Sequence, residues 1–252
     1  MLITDFDGTL YRGSCPFLFR GIANADLMVV LCLLNVFKIK RFFHLMLGVA
    51  KLQRLERRLR REYRTGEMAL SYADQQLVQF FVAHILAHVE KPDIDRAARV
   101  VSGLCYKAAW HCFGMLKARC DFVIISKSFE FVLAKVSQRA SGYGIEMGYY
   151  GNKSGDGDDM TPPQGSVRVK ADKQVRVQAL LASRSYKKAI VIGDTEDDIV
   201  MRDTAVEVLG KSNVVFICMY AKDQKIADAA DQSFTSWQAA GTYLIKIFSL
   251  GH

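Results

Sequence analysis

The sequence predicts an α/β protein, a doubly wound parallel sheet core with an inserted all-helical region. Three observations carry this. A short apolar run, Met1-Leu2-Ile3-Thr4, leads directly into two acids, Asp5 and Asp7. The following hundred or so residues place apolar side chains at helical spacing with almost no strand signal. From Asp121 onward strands and helices alternate, which implies parallel strands covered on both faces.

Taken in order, residues 2–4 read as a buried strand. The interval from Thr9 to Phe122 is far longer than one crossover between neighbouring strands requires. Residues 15–115 are therefore expected to form an inserted helical cap domain, with 1–14 and 116–252 as the core. Within the core, residues 122–125, 189–192 and 214–219 are expected strands, and 130–139, 173–182 and 199–205 expected helices. Residues 143–170 interrupt the alternation, and their extended runs at 145–150 and 166–170 suggest a hairpin insertion with a tip at 151–163. Residues 237–248 form a terminal helix apolar enough to pack on the sheet.

Composition narrows the class. With 252 residues, half of them apolar, the chain can bury a large core without staples. Its six cysteines show no Cys-x-x-Cys spacing, which argues against a zinc ribbon and for free thiols in a reducing, cytoplasmic setting. A cleaved secretory signal is not expected, because cleavage would discard Asp5 and Asp7. The net charge of +8 favours an anionic partner without choosing one.

The chemistry gathers where strands end. Asp5 and Asp7 follow the first strand, Ser126 the second, and Asp194, Asp197 and Asp198 a later one. In a parallel sheet these ends share one edge, where ligands of open α/β sheets bind. Four or five carboxylates there repel one another strongly unless a cation is present, and hard oxygen ligands suit Mg²⁺ completed by a substrate phosphate. Lys173 lies at the start of an amphipathic helix about twenty residues before Asp194, with Lys170 as a nearby competitor.

This ordered set, Asp5-Phe6-Asp7-Gly8-Thr9, Ser126, Lys173 and Gly193-Asp194-Thr195-Glu196-Asp197-Asp198, resembles the haloacid dehalogenase superfamily, in its phosphoserine phosphatase-like branch with a helical cap. The resemblance covers residues 1–14 and about 116–220. It implies that Asp5 is a nucleophile forming an aspartyl-phosphate, and that Asp7 is the general acid/base whose backbone carbonyl also helps hold the metal. It further implies that Ser126 and Lys173 bind the phosphoryl group, that backbone near Gly8 and Thr9 points at it, that Asp194 ligates Mg²⁺, and that Asp198 acts behind it. Asp197 could ligate or merely cap the next helix. Lys127 and Ser128 depart from the branch's Ser-Gly-Gly, so Lys127 is expected beside the phosphate and phosphoserine itself is not favoured. The implied activity is Mg²⁺-dependent hydrolysis of a small phosphorylated substrate, with a phosphoprotein or a lipid phosphate as other candidates. Transfer to an alcohol acceptor, or a membrane- or protein-binding module on an inactive scaffold, are the alternatives.

Other segments carry less. The apolar stretch 27–37 is about half of the roughly twenty residues needed to span a bilayer, so it is expected as part of two cap helices, with peripheral membrane contact left open. The basic run 54–64 reads as a solvated helix face, or as arginines that bend over the pocket. No nucleic-acid motif or aromatic platform accompanies it, so nucleic acid is not an expected partner. His84 and His88 lack a third metal ligand, and Gly155-Asp156-Gly157-Asp158-Asp159 lacks the ligand pattern of an EF-hand.

Overall fold

A computed structural model describes residues 1–11, 25–64, 70–153, 166–167, 170–221 and 224–250. Its centre is a parallel sheet of six strands: β1 (Leu2–Thr4), β2 (Phe122–Phe129), β3 (Met147–Asn152), β4 (Ala189–Gly193), β5 (Val214–Met219) and β6 (Gln232–Phe234). Their spatial order is β3-β2-β1-β4-β5-β6. β1 is therefore central, with Thr4 in register with Ile124 on one side and Ile192 on the other.

Strand periodicity explains why both faces are apolar. Leu2, Phe122, Ile124, Ile190 and Ile192 join one apolar cluster, whereas Ile3, Val123, Ile125, Ala189 and Val191 join the other. The first cluster is covered by α5 (Lys107–Leu116), α6 (Glu130–Ser141) and α10 (Trp237–Leu250). The second is covered by α7 (Lys170–Ala182) and α8 (Glu196–Leu209). Trp237 and Phe113 meet edge to face with ring centroids 5.3 Å apart, which locks α10 onto α5.

Between β1 and β2 the described residues are mainly helical: α1 (Ala25–Leu34), α2 (Ile39–Arg64), α3 (Leu70–His84), a 3₁₀ turn at Leu86–His88, α4 (Lys91–Gly103) and α5. The apolar stretch 27–37 falls on α1 and the turn after it. No helix among the described residues is long and apolar enough to cross a membrane. α4 packs against both α1 and α6, and α5 against α10, so the last two helices of the 15–115 span lean on the sheet layers. Phe81 of α3 stacks on Phe129 at the end of β2, 5.4 Å between centroids. That contact places α3 at the C-terminal edge of the sheet.

Some expected boundaries shift. The run from Ile145, expected as one arm of a hairpin, instead contributes the edge strand β3, paired in parallel with β2. Ser166 and Val167 do return to it, through Val167 N–H to the Gly151 carbonyl at 2.8 Å and Lys153 N–H to the Ser166 hydroxyl at 3.0 Å. Residues 168–169 and the acidic tip at 155–159 lie outside the described residues. β6 and α9 (Gln224–Ala229) were not legible, being short and largely polar.

Candidate active site

The strand order reverses between β1 and β4, and the crevice beyond their C-terminal ends holds the expected acids. Asp5 follows β1 directly, anchored by its N–H to the Ile192 carbonyl at 2.9 Å. The chain then turns sharply: the Leu10 and Tyr11 N–H groups both reach the Phe6 carbonyl, and Gly8 N–H reaches the Tyr11 carbonyl at 2.7 Å. Gly8 adopts φ +78, a backbone region open to glycine. A Cβ there would lie 2.1 Å from Oδ2 of Asp194, so the turn presses against that carboxylate as only glycine permits. Thr9 is held from both sides, its hydroxyl donating to Oδ1 of Asp194 at 3.3 Å and its carbonyl accepting from the Trp237 indole N–H at 2.9 Å.

Asp194 and Asp198 are fixed by the start of α8. Oδ2 of Asp198 accepts from the Asp194 N–H, the Thr195 N–H and the Thr195 hydroxyl, each at 2.9 Å, as in a capping box. Its other oxygen, Oδ1, accepts from Lys173 at 2.7 Å. Both oxygens of Asp198 are thus committed to the protein. Capping at this helix falls to Thr195 and Asp198, while Asp197 forms an ion pair with Lys127 at 2.9 Å.

Lys173 lies one turn inside α7 rather than at its head, which Lys170 occupies. Lys170 is exposed, whereas Lys173 is buried and bridges Oδ1 of Asp5 at 2.8 Å and Asp198. Burial acts to lower the affinity of Lys173 for its proton, but Asp198 and Asp5 outweigh it and hold the ammonium charged well above the usual lysine range. Asp5 is pushed up to about 8, first by burial and then by Asp198, Asp194 and Asp7, with Lys173 opposing.

From β2, Ser126 and Ser128 are both buried, and the Ser128 N–H reaches the Ser126 hydroxyl at 3.3 Å. The Ser128 hydroxyl donates to Oδ2 of half-buried Asp7 at 2.7 Å. This contact was missed in the sequence, where Ser128 reads only as a replaced glycine; a hydroxyl two residues beyond Ser126 at the same strand end was the available signal.

The donor set bears on a metal. Oxygens of Asp5, Asp194 and Asp198 lie within 4.8 Å of one another, the one such cluster among the described residues. Three buried carboxylates share a single buried lysine, so the pocket has negative charge in excess and oxygen donors suited to a hard divalent cation. Since both oxygens of Asp198 are engaged, direct ligation fits Asp5 and Asp194. His84 and His88 do not form such a set: His88 packs against His44, centroids 4.0 Å apart, and His84 against Phe80. Arg54, Arg57, Arg58 and Arg61 are exposed on α2.

No model of a known protein family matches the chain, and no curated protein matches it in sequence. Solved structures match along nearly all of it. A phospho-aspartyl intermediate analogue of phosphoserine phosphatase superposes with TM-score 0.59 at 15% identity, covering 98% of this chain and 97% of that one. A gene product of Archaeoglobus fulgidus, AF1437, gives 0.61 at 18% identity, covering 99% and 83%. Cytosolic 5'-nucleotidase IIIB bound to cytidine gives 0.60 at 14% identity, covering 100% and 87%. The chain has the haloacid dehalogenase fold in its phosphoserine phosphatase-like form.

Proposed function

We propose that the protein is a Mg²⁺-dependent phosphatase that hydrolyses a phosphate monoester through an aspartyl-phosphate on Asp5. The observation that carries this reading is the bridge Asp5–Lys173–Asp198 at 2.8 and 2.7 Å. It aims a buried carboxylate at the crevice, beside a cation that opposes the effect of burial on its proton affinity and relieves the repulsion between that nucleophile and an incoming phosphoryl group. The fold is shared with phosphoserine phosphatase in a phospho-aspartyl intermediate analogue, which supports the same chemistry here.

In this reading an oxygen of Asp5 attacks phosphorus, and the bond from phosphorus to the ester oxygen breaks. Asp7 gives its proton to the leaving oxygen, then takes one from the water that attacks phosphorus, which breaks the bond from phosphorus to the Asp5 oxygen and frees phosphate. Ser128 fixes the carboxylate of Asp7 for both transfers. Ser126 and Lys173 bind the phosphoryl oxygens, with backbone near Gly8 and Thr9 lining the approach. Mg²⁺, held by Asp5, Asp194 and the Asp7 carbonyl, would supply charge neutralisation for the phosphoryl group. Asp198 would orient Lys173 and the Asp194 loop. α1 to α3, with α3 set at the site's edge by Phe81, are proposed as the cap that excludes water and selects substrate.

Lys127 narrows the substrate. Its pairing with Asp197 sets a charged pair next to Ser126 where the branch it resembles carries glycine, which gives phosphoserine no special support; a small phosphorylated molecule is the proposed substrate class. A panel of phosphorylated metabolites, assayed with and without Mg²⁺, tests the proposal. It predicts turnover of some esters only with the metal, and turnover independent of divalent cations would contradict it.

A further inference from the structure

One face of α2 changes character along its length. Ile39, Phe43, Met46 and Leu47 are exposed, the first two at 67% each. Continuing at the same helical phase come Arg54, Arg57, Arg58 and Arg61, also exposed. The stripe is apolar for its first three turns and cationic for the rest. Beyond its apolar end the turn into α1 adds Leu33, Val36 and Phe37, the last 95% exposed. A contiguous apolar tip of this kind is uncommon on a protein that meets only water.

The charges around the tip are arranged to leave it apolar. Lys38 binds Asp93 at 2.9 Å and Glu90 at 3.3 Å, and Arg41 binds Glu90 at 2.7 Å. Two of the three cations near the tip are thereby drawn onto α4, while Lys40 has a stem long enough to reach outward past apolar surface. The second half is cationic by composition: residues 54–64 carry six arginines against Glu56, which is buried, and Glu62, which lies by Arg58 at 3.5 Å.

We infer that this face docks the protein on an anionic lipid bilayer, with the tip at Phe37 and Phe43 entering the acyl boundary and the arginines of α2 lying at headgroup level. The apolar half, residues 39–50, is about 18 Å long, enough to enter one leaflet obliquely and too short to cross. Charge complementarity selects the lipid: exposed arginines following an apolar helix end fit anionic headgroups. A second copy of the chain fits poorly. A parallel pairing of stripes would set arginine against arginine, and an antiparallel one would bury arginines on apolar side chains.

The test is flotation of the full chain with vesicles of phosphatidylcholine alone or mixed with phosphatidylglycerol, at low and high salt. Expected are binding to the anionic vesicles, at least about tenfold weaker binding to the neutral ones, and weakening by salt. Phe37→Ser with Phe43→Ser should abolish flotation while the melting temperature stays at or above wild type. Arg54→Gln, Arg57→Gln and Arg61→Gln together should remove the preference for anionic lipid, and this variant carries the test if the serine variant does not fold. Absence of wild-type flotation, or flotation that survives the serine substitutions in a folded protein, overturns the inference. A concentration-dependent dimer dispersed by those substitutions, without vesicle binding, assigns the face to a second copy instead.

Discussion

Oδ2 of Asp7 accepts a 2.7 Å hydrogen bond from the Ser128 hydroxyl, tying the turn after β1 to the end of β2. The proposed proton carrier is thus oriented by a side chain from the strand that also carries Ser126. Ser128→Ala removes the tether and leaves the rest of the pocket in place. Steady-state kinetics should show kcat lower by about tenfold or more, with KM changed far less. An unchanged kcat would mean that Asp7 is held by something else.

Lys173 and Lys170 are separated by burial. Lys173→Met strands Asp5 and Asp198 without their counter-charge, and loss of one partner from a buried ion pair costs about 3 to 5 kcal/mol. Lys170→Ala, on an exposed side chain, should change stability by less than about 0.5 kcal/mol and leave turnover largely intact. Denaturant unfolding of the two variants distinguishes them.

Gly8 sets how closely the turn after β1 approaches Asp194, and Gly193 how tightly its own loop closes on Asp198. At Gly193 an added Cβ would fall 2.3 Å from Cβ of Asp198, and at Gly8 it meets Asp194 in a positive-φ conformation that itself costs roughly 1 to 2 kcal/mol for other residues. Either substitution by alanine should displace a carboxylate. Calorimetric titration with Mg²⁺ should show weakened binding in both variants.

The pH dependence of the metal-free protein follows from Asp5. Its folded-state value of about 8 lies above the 3.8 of the free side chain, so between those limits the folded state holds the extra proton. Stability therefore falls as pH rises through that window. Lys173, raised above an already high value, is charged in both states there and adds no slope. Metal-free wild type should melt several degrees lower at pH 8.5 than at pH 5, and Asp5→Asn should flatten that difference. A melting temperature for wild type that rises over this range would contradict the assignment.

Much of the site is legible in the sequence because the chemistry sits at strand ends. Residues 2–4 and 214–219 read directly as strands, apolar runs ending in polar side chains or turns. Asp5, Lys173, Asp194 and Asp198 were chosen for charge and spacing, and the fold brings their side chains together. The contacts that cross elements were not legible. Nothing local announces that Lys127 reaches Asp197 or that the Trp237 indole holds the Thr9 carbonyl, and the spacing of Ser128 from Ser126 hints at a role without naming Asp7 as its partner. The run at β3 reads as extended but not as part of the sheet, because a Gly- and Tyr-rich segment beside an acidic loop lacks the apolar character of a central strand, a character that an edge position does not require.

The central claim is covalent chemistry on Asp5. Mixing the protein with Mg²⁺ and a ³²P-labelled ester that it turns over, then quenching in acid, measures it directly. Wild type should carry a label that is released by hydroxylamine and is absent from folded Asp5→Asn, whose turnover is abolished. A label that persists in Asp5→Asn, or substantial turnover by that variant, would contradict it.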